Sequence, residues 1–283
     1  MNKEIEMNVS MQKPILILGG TGKTGRRLAE RLTARNVPVR IGSRAGTPSF
    51  DWLDRSSWDA ALAGVGAVYI SYYPDIAVPG AAETVGAFAA LAVSLGVKRL
   101  VLLSGRGETE AQRAEEMVKA SGADWTILRC AWFSQNFSEG FLVENIIEGE
   151  IALPVGNVGE PFVDVDDIAD VAEAVLTRSG HVGQLYELTG PRLLSFADAV
   201  AEIGRAAGRD ISYRQVSHAE FTSAIATHNL PPEIAWLLDE LFTEVLDGRN
   251  ETLTDGVQRA LGRQPKDFST YATETAASGI WSN

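Results

Sequence analysis

The segment Gly19-Gly20-Thr21-Gly22-Lys23-Thr24-Gly25 follows a short apolar run, Pro14 to Leu18, and opens a stretch in which Leu28 and Leu32 stand one helical turn apart. An apolar run without alternation reads as a parallel strand covered on both faces. The glycines fit GxGxxG from Gly20 and GxxGxxG from Gly19. Between a strand and a helix that spacing suits a dinucleotide. Glycines allow a tight turn and close backbone approach, while the N–H groups and dipole of the helix N-terminus attract a pyrophosphate. Gly22-Lys23-Thr24 could also end a GxxxxGK[ST] phosphate loop, but the first glycine of that motif would fall on Ile17, inside the strand. The spacing sets nucleoside-triphosphate chemistry aside.

Further strands are expected at Val39 to Ile41, Ala67 to Ser71, Arg99 to Ser104 and Trp125 to Arg129, and helices at about Ala81 to Leu95 and Glu110 to Ala120. Strands alternating with helices imply right-handed crossovers and an α/β, Rossmann-like doubly wound parallel sheet. Beyond residue 130 the rhythm loosens. Short strands are expected at Phe162 to Asp164 and Leu185 to Leu188, with another possible at Ile211 to Val216. A helix is expected at Ile168 to Leu176, capped by Asp166 or Asp167, and an apolar helix from Pro231 and Pro232 through Leu246. The division is a flexible tail over 1–13, an NAD(P)-binding Rossmann domain over 14–130, and a mixed region over 131–283. That region completes the sheet and forms a smaller, mostly helical substrate-binding cap.

Composition narrows the function. The chain has 283 residues, a formal net charge of −12, one cysteine (Cys130) and three scattered histidines (His181, His218, His228). One cysteine allows neither an internal disulfide nor a cysteine-based zinc site, and no metal is expected. So acidic a chain is a poor ligand for nucleic-acid phosphates. The longest nearly apolar run, Gly86 to Val97, falls short of the roughly 20 residues of a membrane span. The polar first residues lack the apolar core of a secretory signal. The expectation is a cytoplasmic monomer or homodimer whose partner is a small molecule, with neither nucleic acid nor membrane as partner.

The residues after the second strand choose between cofactors. An NAD-preferring fold places Asp or Glu there for the ribose 2′-hydroxyl; this chain reads Arg40-Ile41-Gly42-Ser43-Arg44, with no acid until Asp51. A hydroxyl from Ser43 and the donor fork of Arg44 suit a 2′-phosphate. NADP(H) is the cofactor expected, and Lys23, Arg40 and Arg44 form a local anion site against the acidic background.

Together GGTGKTG, Ser43-Arg44, Phe50-Asp51-Trp52, Val101 to Ser104, Trp125 to Arg129 and Trp132-Phe133-Ser134-Gln135-Asn136-Phe137 resemble the NmrA-like, atypical short-chain dehydrogenase family. Pro161 to Ala169, Leu188 to Pro191, Asp247-Gly248-Arg249-Asn250, Leu261-Gly262-Arg263 and Trp281 are similar to bacterial relatives of the agroclavine and festuclavine dehydrogenases of ergot alkaloid biosynthesis. The resemblance implies that Asp51 and Trp52 flank the adenine. It also implies that Tyr72, Ser104 and the stretch around Ala131 and Trp132 line the ribose and nicotinamide.

Typical short-chain dehydrogenases carry YxxxK on the helix after the serine-bearing strand. Here that helix runs Glu110 to Lys119 without a tyrosine, and Lys119 reads as a surface residue. Hydride addition to a carbonyl leaves an alkoxide that needs an acid; addition to an iminium leaves a neutral amine and needs none. An NADPH-dependent reductase of planar, activated acceptors, iminium, imine or quinone-like, is the first reading. A noncatalytic NADP(H)-binding redox sensor of the NmrA type is the alternative. Tyr72, Tyr73, Trp132, Phe137, Trp236 and Phe242 are candidate substrate walls, suited to an aromatic or cationic ligand. Gln135 and Asn136 are candidates to orient it, while Phe133 reads as core. Glu115 and Glu116 read as the solvated face of their helix, and Asp164, Asp166 and Asp167 as a strand end running into a helix cap.

Overall fold

The apolar run becomes β1 (Ile15–Leu18), buried along its whole length, in the computed structural model, which describes residues 13 to 282. The expected tail therefore lies, apart from Lys13, outside the described residues. From β1 the chain alternates through α1 (Lys23–Ala34), β2 (Val39–Gly42), α2 (Trp58–Leu62), β3 (Ala67–Ile70), α3 (Ala81–Ser94), β4 (Arg99–Gly105), α4 (Thr109–Ala120) and β5 (Asp124–Cys130). The second half supplies α5 (Leu142–Glu148), β6 (Glu150–Leu153), α6 (Val165–Thr177), β7 (Gln184–Leu188), α7 (Phe196–Ala207) and β8 (Ser212–Gln215). It ends with α8 (His218–Thr227), α9 (Pro232–Glu240), α10 (Gly256–Leu261) and α11 (Phe268–Ala277).

Six strands form one parallel sheet in the order β2-β1-β3-β4-β5-β7. Ile15 pairs with Val39 on one side and Ala67 on the other, so the winding direction reverses between β1 and β3. Loops leaving the C-terminal ends of such a pair diverge and open a crevice, where doubly wound sheets bind ligands. One sheet face is covered by α1, α6 and α10 through Leu28, Leu32, Val171 and Val257. The other is covered by α2, α3 and α4 through Trp58, Val85, Phe88 and Val118. A third core, built on Phe137, Phe162, Phe196, Phe268 and Trp281, joins α5, α7, α11 and the two-stranded β6–β8 sheet.

Three local expectations need correction. Phe162 to Asp164 is no strand; Val163 makes a single bridge to Phe133. Asp164, rather than Asp166 or Asp167, caps α6 by accepting the Asp166 amide at 2.7 Å. The helix opened by Pro231 and Pro232 stops at Glu240 and passes into one π-helical turn, Leu241–Val245. Among the described residues no helix is long and apolar enough to cross a membrane, and no group of His, Cys, Asp and Glu is placed to hold a metal ion.

Candidate active site

A cavity of about 380 Å³ lies at the C-terminal ends of β1, β3, β4 and β5. Its upper rim is the glycine turn. Gly19 is left-handed at φ +65°, which a side chain would strain, and a Cβ on Gly25 would sit 2.3 Å from the Gly19 carbonyl oxygen. The turn thus packs backbone on backbone against α1. At the start of α1, Gly22 offers no capping side chain, and the first turn carries no acid. The first amides of a helix have no intrahelical partner, so this end is left for an anion, and the cradle fits a pyrophosphate. Lys23 stands beside it, partly buried, its Nζ donating to Asn136 Oδ1 at 2.9 Å. Desolvation lowers the Lys23 pKa, with Glu139 and Asp75 opposing it.

At the end of β2, Ser43 and Arg44 lie outside the cavity lining. The Arg44 guanidinium is 5.7 Å from the centre of the Tyr73 ring. Arg40 does not join them: its Nη1 donates to the Ala61 and Ala63 carbonyls at 2.8 and 2.7 Å, so it satisfies the end of α2 rather than an anion. Asp51 accepts the Leu53 amide. Trp52 is buried in an aromatic cluster with Phe50, Trp58 and Phe88 and reaches the site only through Tyr72, 4.9 Å away between ring centres.

Tyr72, Ser104, Ala131, Trp132 and Asn136 line the cavity together with Gly22, Lys23 and Thr24. The Ser104 hydroxyl is committed, donating to Glu115 Oε1 at 2.6 Å. Glu115 is fully buried and receives Arg129 Nε at 2.8 Å, while Arg129 Nη1 donates to Glu187 at 2.9 Å. The reading of Glu115 as a solvated residue is therefore wrong. The β4–β5 register sets Arg129 beside Ser104, and α4 lays Glu115 over both. Only Glu116 is a surface residue, paired with Lys119.

The aromatic candidates divide. Trp132 lines the cavity, backed by Phe242 at 5.2 Å and Phe196 at 5.8 Å, and its buried Nε1–H has no hydrogen-bond partner. Phe242 is thus beneath the wall. Phe137 is sealed among Phe162, Phe196 and Phe268. Gln135 is buried, with Oε1 spent on the Val165 amide at 2.8 Å, and cannot reach a ligand. Tyr73 is 67% exposed and Trp236 39% exposed, both off the cavity. Phe133, read as core, also reaches the cavity wall.

Sequence reasoning missed the opposite wall: Ile234, Leu237, Leu238 and Leu241. Their i, i+3, i+4, i+7 spacing on α9 and its π turn was a readable signal; the two aromatics on the same segment drew attention to the wrong face. Three carboxyls in the lining, Asp75, Glu108 and Glu160, were also missed, each being isolated in sequence. Glu160 accepts the Trp132 amide at 3.0 Å, and burial pushes its pKa up to about 7. Asn250, from the Asp247-Gly248-Arg249-Asn250 segment, closes one side: Arg106 Nη1 donates to its carbonyl at 3.3 Å, and its Nδ2 donates back to the Arg106 carbonyl at 3.2 Å.

A family model described as NAD(P)H-binding matches residues 19–179. The chain is 34% identical over 277 residues to the uncharacterized oxidoreductase YesF of Bacillus subtilis, covering 94% of this chain and 96% of that one. It is 30% identical over 283 residues to festuclavine synthase I of Penicillium roqueforti, covering 91% and 96%. Among solved structures, the NADPH-dependent quinone oxidoreductase of Escherichia coli, complexed with NADPH, superposes with a TM-score of 0.77 at 23% identity, covering 92% of this chain and 99% of that one.

Proposed function

The chain belongs to the NAD(P)H-binding family of oxidoreductases, and from that premise we propose that it is an NADPH-dependent reductase of planar, activated acceptors, iminium, imine or quinone-like. Bound in the crevice, the cofactor supplies a hydride. The chain's own residues anchor, orient and shield. Gly22, Lys23 and Thr24 hold the pyrophosphate, while Ser43 and Arg44, with no acid at the end of β2, favour a 2′-phosphate. Tyr72 and Trp132 offer ring faces to a planar ligand, and Ile234, Leu237 and Leu241 exclude water from the opposite side.

One observation carries the acceptor class. The helix after the serine-bearing strand has no tyrosine, and the Ser104 hydroxyl is bonded away to Glu115. A carbonyl's alkoxide would find neither member of the usual proton-donating pair, whereas an acceptor that arrives cationic needs none. The test is titration with NADPH and NADH, followed by turnover with a cyclic iminium and a simple ketone of similar size. Tighter NADPH binding and reduction of the iminium but not the ketone are expected; the reverse order in either comparison contradicts the reading.

A further inference from the structure

Glu108 stands at the N-cap of α4, yet its side chain makes no capping hydrogen bond. It turns back across Gly105 instead, where a Cβ would lie 2.1 Å from Glu108 Oε2. Oε2 is shut from solvent and has no hydrogen-bond partner, although the residue lines the same cavity as Tyr72, Ser104 and Trp132. Leaving a buried polar group unsatisfied costs about 1–3 kcal/mol. A side chain that neither caps its helix nor pairs with a cation departs from local rules, as residues at functional sites do.

No cation offsets it. Burial first, then Asp75 in the β3–α3 connection, Glu115 on α4 and Glu240 on α9, push the Glu108 carboxyl well above the usual range. Cys130 at the end of β5 faces the same group, and burial pushes its thiol up as well. Glu160 is a third acid in the lining, and Arg106 is turned to the Asn250 and Thr252 carbonyls. Burial pushes the Asp75 carboxyl up as well, but the Ala77 amide, donating to it at 2.9 Å, and Lys23 oppose that shift. Glu108 has no such opposing group, and of the two carboxyls it is the one held more strongly toward the neutral form.

We propose that Glu108 is the catalytic acid for neutral imine acceptors, protonating the imine nitrogen in the cavity and so forming there the iminium to be reduced. The Glu108 O–H bond breaks, and the nitrogen lone pair takes the proton. A bound reduced nicotinamide would supply the hydride, whose two electrons would add at carbon while the C=N π pair becomes the lone pair of a neutral amine. The Glu108 carboxylate recovers a proton from solvent. This step rests on the reductase reading above.

The experiment compares a neutral cyclic imine with its N-methyl iminium, which cannot be protonated at nitrogen, in wild type, Glu108→Gln and Glu108→Asp. In Glu108→Gln the kcat/KM ratio of imine to N-methyl iminium is expected to fall about 100-fold, and imine turnover to follow the protonated fraction of the free imine as pH changes. Glu108→Asp restores part of the ratio. Infrared difference spectra of the protein alone should show a protonated carboxyl at neutral pH that Glu108→Gln removes. An unchanged ratio, or no such band in wild type, overturns the assignment. Wild-type protein that reduces neither acceptor contradicts the reductase reading itself, whereas reduction of both with an unchanged ratio contradicts only the role of Glu108.

Discussion

Lys23 in the first turn of α1 donates to Asn136 in the turn after β5, across 2.9 Å, so the glycine turn and the segment that begins one cavity wall are held by one hydrogen bond. The lysine is 113 residues from its partner in sequence. Its charge sits over a helix N-terminus without a competing acid in the first turn. Replacing Lys23 by Met should weaken NADPH binding by roughly 10- to 100-fold, the range of a charge-assisted hydrogen bond, with little change in thermal stability. Fluorescence titration and a melting curve separate the two effects.

The glycines make two different predictions. A Cβ on Gly25 would meet backbone atoms of Gly19 and Gly20, the nearest at 2.3 Å, and backbone cannot swing aside. Gly25→Ala should therefore lose both stability and cofactor binding. At Gly22 the nearest atom is the Gly19 carbonyl oxygen at 3.2 Å. Gly22→Asp should keep its fold and lose NADPH by repulsion at the pyrophosphate. Equal melting losses in both variants would contradict this account of the turn.

Beneath the cavity, Glu115 holds the Ser104 hydroxyl and the Arg129 guanidinium together in a buried place. Removing Glu115 takes the buried partner from both groups and leaves Arg129 only Glu187, at a cost of about 1–3 kcal/mol. Urea unfolding of Glu115→Ala should show a loss of that size, and Ser104→Ala a much smaller one.

Arg44 should govern cofactor choice. It has its ring contact with Tyr73 and lies at the end of β2, where an acid would select NAD. Arg44→Ala is expected to lower the NADPH over NADH preference about tenfold, one charge-assisted contact, measured as the ratio of dissociation constants.

Glu160 predicts a pH dependence. Its folded pKa is raised from 4.5 to about 7, so the native state binds the proton more tightly than the unfolded chain. Its contribution to stability is complete below pH 4.5 and disappears as pH rises through 7, on the order of 3 kcal/mol at most. Glu160→Gln keeps an acceptor for the Trp132 amide and should flatten that decline.

The sheet was legible because β1 and β3 are short unbroken apolar runs, β4 and β5 are apolar through their middles, and the expected helices fall between them, whereas β2 carries Arg40 and the five-residue α2 gave no periodic signal. Edges moved by one or two residues, as with β3 ending at Ile70 rather than Ser71. The glycine turn was legible because its geometry is local. The buried side of α4 was not: nothing near Glu115 in sequence announces Arg129, which arrives through strand register. Arg40 misled in the same way, since its carbonyl partners lie more than 20 residues on, at the end of α2. Phe137 and Phe242 carry the composition of a ligand wall and the environment of a core, and only packing distinguishes those. Glu108 is an unremarkable letter in a polar stretch; its meaning lies in the side chain folding back over Gly105.

The central claim is that the cavity joins a dinucleotide site to an acceptor site and passes hydride between them. Stopped-flow mixing with NADPH deuterated at the transferable position of the nicotinamide, followed by mass spectrometry of the product of a cyclic iminium, tests it directly. The account predicts loss of NADPH absorbance with one deuterium on the product carbon. Binding of both redox forms of the cofactor, with no oxidation and no label in any iminium, imine or quinone offered, would contradict it.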